Sequence, residues 1–237
     1  MIKLPIKNQN KYYDVNPSKI IALGLNYRDH IKESVSVNVK GFSKEAPSEP
    51  ILFPKTPNVL IGSGENIVIP EFLKEYKFEN PRVDYEGELA FVIKDKCKDV
   101  KVKNAFQHIL GFTCMNDVSQ RNLQTGDKSG WFRGKSLDTF GPIGPVLVML
   151  QDIGDPQNLN IQTCLNGKVV QSSNTKNMIF PIDKILTFVS KNFTLLPGDI
   201  IMTGTPSGVG PITDGDIVDV EIENIGVLKN PVISEKL

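Results

Sequence analysis

Glu86 and Glu88 stand two residues apart in a run, 83–93, whose hydropathy alternates. Tyr85, Leu89, Phe91 and Ile93 fall on one face, and Asp84, Glu86, Glu88, Ala90 and Val92 on the other. The period predicts a half-buried strand. On a strand the two glutamates point the same way with Cα atoms roughly 6.6–6.8 Å apart, so both carboxylates can reach one ion. Asp84 adds a third like charge to that face with no lysine between, and a bound cation would relieve the repulsion along the row. A solvated outer face is the alternative for any Glu-x-Glu pair. Asp117 ends another predicted strand, and sheet pairing could set it beside the glutamates. Three hard oxygen ligands with open positions suit Mg²⁺ or Mn²⁺, with Ca²⁺ next.

A second chemical pair is His30 and Glu33, one turn apart on a predicted short helix. The carboxylate could orient the imidazole and raise its basicity, giving a general base near neutral pH, although the same spacing is common on helix surfaces. Lys135, in Gly134-Lys135-Ser136, is a candidate for neutralising charge or donating a proton. His108 lies in a strand-like run with no carboxylate at useful spacing and reads as structural. Cys114, three before Asp117, faces away from it, and Cys97, Cys114 and Cys164 read as core or surface thiols. With two histidines in the chain a histidine-rich zinc or iron site is excluded, so any metal must rest mainly on oxygen ligands. The glycine-rich loop Thr203-Gly204-Thr205-Pro206-Ser207-Gly208-Val209-Gly210 has no Walker lysine and does not fit G-x-G-x-x-G. Nucleotide binding is therefore poorly supported, but its amides could hold a carboxylate or phosphate.

The elements that must position these groups are short. Residues 20–25 read as a buried strand, with Asn26 as the N-cap of the helix that carries His30. Residues 34–50 are polar, hold Gly41, Pro47 and Pro50, and lack an apolar period, which suggests a lid. Residues 109–115 form a second strand, with a short helix from Ser119. Asn166-Gly167 marks a type I′ hairpin, and 217–222 alternate as a strand. Ile182, Ile185, Leu186 and Val189 behind Pro181 predict the longest helix, with the proline in its first turn. Many strands and few short helices point to one mostly β domain over 1–237.

Composition narrows the partners. The 237 residues carry 27 Lys plus Arg and 27 Asp plus Glu, so zero net charge gives no support for nucleic acid or an anionic membrane. Apolar runs reach five residues, far short of the roughly 20 that span a bilayer. The N-terminal stretch lacks the apolar core of a signal peptide, and the odd cysteine count forbids a fully paired disulfide framework, so a reducing location is expected, the cytoplasm or an organelle matrix after loss of a targeting segment.

Seven segments, in order, resemble the fumarylacetoacetate hydrolase family, above all its short single-domain acylpyruvate hydrolases. They are Gly24-Leu25-Asn26-Tyr27-Arg28-Asp29-His30 with Glu33, Phe53-Pro54-Lys55-Thr56-Pro57, Asp84-Tyr85-Glu86-Gly87-Glu88-Leu89 and Asn116-Asp117-Val118-Ser119-Gln120-Arg121. Arg133-Gly134-Lys135-Ser136-Leu137-Asp138 follows, then Asn174-Thr175 with Met178-Ile179-Phe180, and the loop from Thr203 to Gly210. The resemblance implies a mostly β (α+β) fold of rolled, mixed β-sheets with short peripheral helices, usually a homodimer. It implies Mg²⁺ or Mn²⁺ on Glu86, Glu88 and Asp117, the His30–Glu33 pair and Lys135 as catalytic groups, and Arg121, Gln171 and Thr205 around a small oxo-acid substrate. Two features depart from the pattern. Gln120 and Asn122 flank Arg121 where the family often has Ala and Asp, and 34–50 carries no recognisable motif.

The reaction implied is metal-dependent cleavage of the carbon-carbon bond of a 3-acylpyruvate, giving pyruvate and a carboxylic acid. Decarboxylation of oxaloacetate and isomerisation or tautomerisation of a 2-hydroxydienoate use the same electron sink and are the enzymatic alternatives. A non-catalytic oxo-acid-binding protein is the alternative from another class, and the presence of His30, Glu33 and Lys135 beside the carboxylates speaks against it.

Overall fold

Most of the buried side chains come from strands too short to bury a face alone, so the chain stacks them in sheets. The computed structural model describes residues 2–33, 45–126 and 131–236. Among them the largest sheet has seven strands in the order β4 (Ile51–Lys55), β3 (Ile20–Gly24), β14 (Ile200–Met202), β8 (Gly87–Ile93), β9 (Ile109–Asn116), β11 (Gly141–Met149) and β5 (Leu60–Ile61). A second has five, β13 (Lys168–Asn174), β12 (Asn160–Leu165), β16 (Ile217–Ile222), β17 (Gly226–Ser234) and β6 (Ile67–Ile69). Smaller groups are β10 (Ser119–Gln120), β7 (Val83–Tyr85) and β15 (Gly210–Pro211), and the hairpin β1 (Ile2–Pro5) with β2 (Tyr12–Val15). The pairs β3/β14, β5/β11 and β6/β17 are parallel and the other ladders antiparallel, which makes the sheets mixed as expected.

The helices α1 (Arg28–Glu33), α2 (Arg121–Gly126), α3 (Trp131–Lys135) and α4 (Ile182–Asn192) lie between strands. None in the described residues is long and apolar enough to cross a membrane. In α4 the four predicted apolar positions are all buried, and Pro181 sits at the N-cap rather than inside the first turn. Asn166 and Gly167 both have positive φ, 53° and 77°, as the predicted hairpin turn requires. The expected lid, 34–50, lies outside the described residues up to position 44.

Three local expectations are corrected. Residues 83–93 are not one half-buried strand: the chain leaves β7 at Glu86 and enters a different sheet as β8, and every residue from 83 to 93 is buried. The alternation survives because the two faces of β8 meet two cores. Leu89, Phe91 and Ile93 join the larger cluster, while Ala90 and Val92 pack with Phe53, Met115 and Met202. Asn26 does not cap α1; its side chain accepts from Phe180 N at 2.8 Å and donates to Thr203 O at 2.8 Å, tying the helix entry to two loops. His108 does have a carboxylate, Asp95, whose oxygen lies 2.5 Å from its Nδ1.

Candidate metal centre and base

The break at Glu86 builds the site. Asn116 Oδ1 accepts from Glu86 N at 2.9 Å and Glu86 O accepts from Asp117 N at 2.9 Å, so the end of β9 lies directly opposite the glutamate. Gly87 between the two acids has no room for a side chain, since a Cβ there would lie 2.2 Å from Thr163 Oγ1. This close approach of β12 lets Glu86, at the break between β7 and β8, and Glu88, in β8, face one space. Ligand oxygens of Glu86, Glu88 and Asp117 come within 4.8 Å of one another, and all three residues are buried.

Around them are buried cations. Lys135, at the end of α3, places Nζ 2.9 Å from Glu86 Oε2 and 2.5 Å from Asp117 Oδ2. Lys55, on the same side of β4 as Phe53, places Nζ 2.6 Å from Asp117 Oδ1 and also donates to the Lys135 carbonyl. Arg121 bonds both Asp84, at 2.7 Å, and Glu86. Asp84 is therefore held by Arg121 and Arg82 and takes no part in the carboxylate trio, contrary to the expectation of three acids in one uncompensated row.

The charges are unevenly shared. Burial raises the Glu86 carboxyl, but Lys135 and Arg121 outweigh it and hold the group far below the usual carboxylate range. Glu88 receives one backbone donor, Gly204 N at 2.8 Å, and burial together with the Asp117 and Glu86 charges pushes it well above that range. Gly204 makes this bond from a left-handed conformation, φ +91°, with its Cβ position 2.8 Å from Asn26 Cβ, so only glycine fits. A trio of hard oxygens in which Glu88 is crowded by two like charges matches a divalent cation of the Mg²⁺ or Mn²⁺ kind.

His30 is buried and shares one narrow cavity with Glu86, Arg121, Lys135, Thr205 and Trp131. Its Nδ1 lies 3.4 Å from Glu33 Oε1, and the same oxygen accepts from Gly208 N at 2.7 Å and Val209 N at 3.3 Å. Glu33 thus joins the helix carrying His30 to the glycine-rich loop. Burial raises the Glu33 carboxyl, but the His30 and backbone hydrogen bonds prevail and hold it below its usual range.

Of the three expected substrate contacts, Arg121 and Thr205 line the cavity. Gln171 lies behind it, with its amide accepting from Gly87 N and donating to Thr205 Oγ1 and Pro206 O. Thr205 in turn donates to Gly87 O at 2.9 Å. Gln120 caps α2 by accepting from Leu123 N and bonds Asn122, so the two departures from the family pattern act as local hydrogen-bonding groups.

Two residues near the site had no role from sequence. Lys55 lies in a quoted motif, and its signal was a lysine in register with Phe53 on an apolar strand. Tyr27 is buried with its hydroxyl unpartnered among the described residues; burial and the Glu88 charge both raise its pKa.

Residues 19–233 match the fumarylacetoacetate (FAA) hydrolase C-terminal family model, and the chain belongs to this family. The mitochondrial oxaloacetate tautomerase FAHD2A of Bos taurus is 42% identical, over 92% of this chain and 67% of its own. The crystal structure of 5-carboxymethyl-2-hydroxymuconate delta-isomerase from Mycobacterium smegmatis is similar with TM-score 0.79 and 40% identity, over 93% of this chain and 78% of that one. Fumarylpyruvate hydrolase from Pseudomonas aeruginosa, in complex with Mn²⁺ and pyruvate, gives TM-score 0.85 at 26% identity, over 99% and 96%.

Proposed function

We propose that this chain is a divalent-metal-dependent enzyme that interconverts the keto and enol forms of a small 2-oxo acid of the oxaloacetate class. The observation that carries this reading is a buried imidazole that shares a cavity with Glu86, one member of a buried carboxylate trio. Glu86, Glu88 and Asp117 would hold Mg²⁺ or Mn²⁺, whose chemistry when bound is Lewis-acid polarisation of the 2-oxo group. His30 takes a proton from C3 and returns it to the 2-oxygen. One C–H bond breaks as one O–H bond forms, and no further reactant is consumed. Glu33, kept charged by its three donors, orients the ring and balances the imidazolium. Lys135 stays protonated: burial lowers its pKa, but Asp117 and Glu86 raise it above the usual value, so positive charge stays beside the place where enolate charge develops.

Hydrolysis of a 3-acylpyruvate is the second reading, favoured by the His30–Glu33 pair, which can take a proton from water as readily as from carbon. Sequence motifs alone put hydrolysis first. We place it second because the tautomerase and isomerase relatives stand at 42% and 40% identity and two hydrolase relatives at 26% and 29%.

A panel of oxaloacetate, hydroxydienoates and acylpyruvates, assayed with Mg²⁺ or Mn²⁺, tests both. Metal-dependent loss of enol absorbance without release of CO₂ supports tautomerisation. Pyruvate plus a carboxylic acid from an acylpyruvate supports hydrolysis. No metal-dependent turnover of any member would overturn both.

A further inference from the structure

The far end of β8 carries a second group of ligand atoms with different chemistry. After β8 the exposed lysines Lys94, Lys96 and Lys98 alternate with Asp95, which is half-buried, and Cys97, which is buried, so the acid and the thiol lie on the same side of the chain two residues apart. His108 faces them from the end of the 3-10 helix Val102–His108. One ligand atom from each of Asp95, Cys97 and His108 lies within 4.8 Å of the other two.

The backbone around them is fixed on both sides. Cys97 N donates to Leu195 O at 3.0 Å and Leu195 N to Cys97 O at 2.9 Å, while Lys94 N donates to His108 O at 2.9 Å. The three side chains are therefore held together by the sheet, the helix and the chain after α4, rather than by one flexible loop.

We propose that Asp95, Cys97 and His108 form a second metal site, for a borderline divalent ion such as Zn²⁺. Thiolate and imidazole select such an ion over the hard cations suited to the carboxylate trio, and three protein ligands with water in the fourth position complete a tetrahedron. Neighbouring ligands of a tetrahedral Zn²⁺ stand roughly 3.5 Å apart, given bonds of about 2.0–2.3 Å. The Asp95–His108 pair must therefore open and the thiol must close in. Cys97 gives its proton to solvent on binding. Burial and the nearby Asp95 and Asp199 carboxylates raise its pKa to about 11 in the ion's absence, so affinity should fall as pH falls. A mixed sulfur, nitrogen and oxygen set was not expected from a chain with two histidines, because the ligands come from two segments 13 residues apart at Asp95 and His108.

Titration of the full chain with Co²⁺, followed by absorption, tests the assignment. A sulfur-to-cobalt charge-transfer band should saturate at one ion per chain, vanish in Cys97→Ser and in His108→Gln, and persist in Glu88→Ala. Asp95→Asn should weaken Zn²⁺ binding by about tenfold or more. Cys97 is buried, so its replacement could disturb folding. The partly exposed His108 provides the independent variant, with circular dichroism as the check that it folds. Absence of the band at saturating Co²⁺, or its survival in folded His108→Gln, would overturn the site and leave Asp95 and His108 as an ordinary ion pair. Loss of the band in folded Glu88→Ala would show that the sulfur-bound ion depends on a residue outside Asp95, Cys97 and His108 and would equally overturn the proposal. Failure here leaves the reading of Glu86, Glu88 and Asp117 untouched.

Discussion

Asp199 and Glu88 sit near opposite ends of one short strand, β14, and both are fully buried, yet their surroundings are opposites. Asp199 precedes the strand and accepts from Ser18 N at 3.1 Å, Ser18 Oγ at 2.6 Å, Lys19 N at 3.1 Å, Leu196 N at 2.8 Å and Lys19 Nζ. Burial raises its carboxyl, but these donors prevail and hold it below the usual range. Glu88, beyond the other end, has one backbone donor and two carboxylates for neighbours. A buried carboxylate that the protein fully satisfies is an anchor: Asp199 fixes the start of the parallel pair β3 and β14. One that the protein crowds with like charge is where the proposed cation would relieve the most repulsion. The contrast separates structural from functional burial without reference to any relative.

Breaking the cationic side of the crowded end should have the largest effect. Lys55 is buried against Asp117, and Lys55→Met leaves that buried carboxylate with one partner fewer. Metal-free Lys55→Met should lose about 3–5 kcal/mol of stability in urea denaturation, the range for removing one member of a buried ion pair. Added Mn²⁺ should recover part of that loss, because it restores positive charge beside Asp117. Equal stability of parent and variant without metal would show that Lys55 does not balance the trio.

The next effect is on chemistry. His30→Ala should lower keto–enol interconversion, and any acylpyruvate hydrolysis, by about 10²-fold in kcat, with metal affinity nearly unchanged. Decarboxylation of oxaloacetate needs no base at carbon, so any such activity should keep a much larger share. Glu33→Gln should show a milder loss, since the ring remains but is less well oriented and less basic. Kinetics at saturating Mn²⁺ distinguish these outcomes, and a parent-like His30→Ala rate would remove the imidazole from the mechanism.

Much of this site was legible from residue types and spacing. The Glu-x-Glu pair, an aspartate at a strand end and a histidine one turn from a glutamate are local patterns, and sheet pairing between β8 and β9 brings the acids together as the alternation suggested. What escaped depended on pairing that no short window contains. Lys55 meets Asp117 across 62 positions and Arg121 meets Asp84 across 37, so the compensation of charge was invisible. The kink at Glu86 was hidden because the alternation of side chains continues through it. Asp199 carried no signal beyond a Pro197-Gly198-Asp199 turn, although its partners lie at Ser18 and Lys19.

The smallest effects test the comparison most directly because they differ in sign. Asp199→Asn removes charge from a carboxylate that meets an ammonium, a hydroxyl and three backbone N–H groups, and should destabilise the fold by roughly 1.5–3 kcal/mol, the range for hydrogen bonds to a charged group. A carboxyl held below its usual range stabilises the folded chain at pH above its unfolded value, about 4, and loses that contribution as pH falls through the lower folded value. The deficit of Asp199→Asn should therefore shrink in acid. Glu88 follows the reverse sign. Its raised folded pKa means that the metal-free folded chain binds the proton more tightly than the unfolded chain, so stability declines as pH rises from about 4 towards that folded value. Glu88→Gln keeps an acceptor for Gly204 N and sheds the like charge, so without metal it should leave stability unchanged or raise it by up to about 1 kcal/mol, most at higher pH. Saturating Mn²⁺ should invert the ranking, stabilising the parent and not the variant, because only the parent offers all three carboxylates to the ion. Urea denaturation of both variants across pH, with and without Mn²⁺, reads every one of these signs, and parallel behaviour of the two variants would mean that both carboxylates are simply anchors.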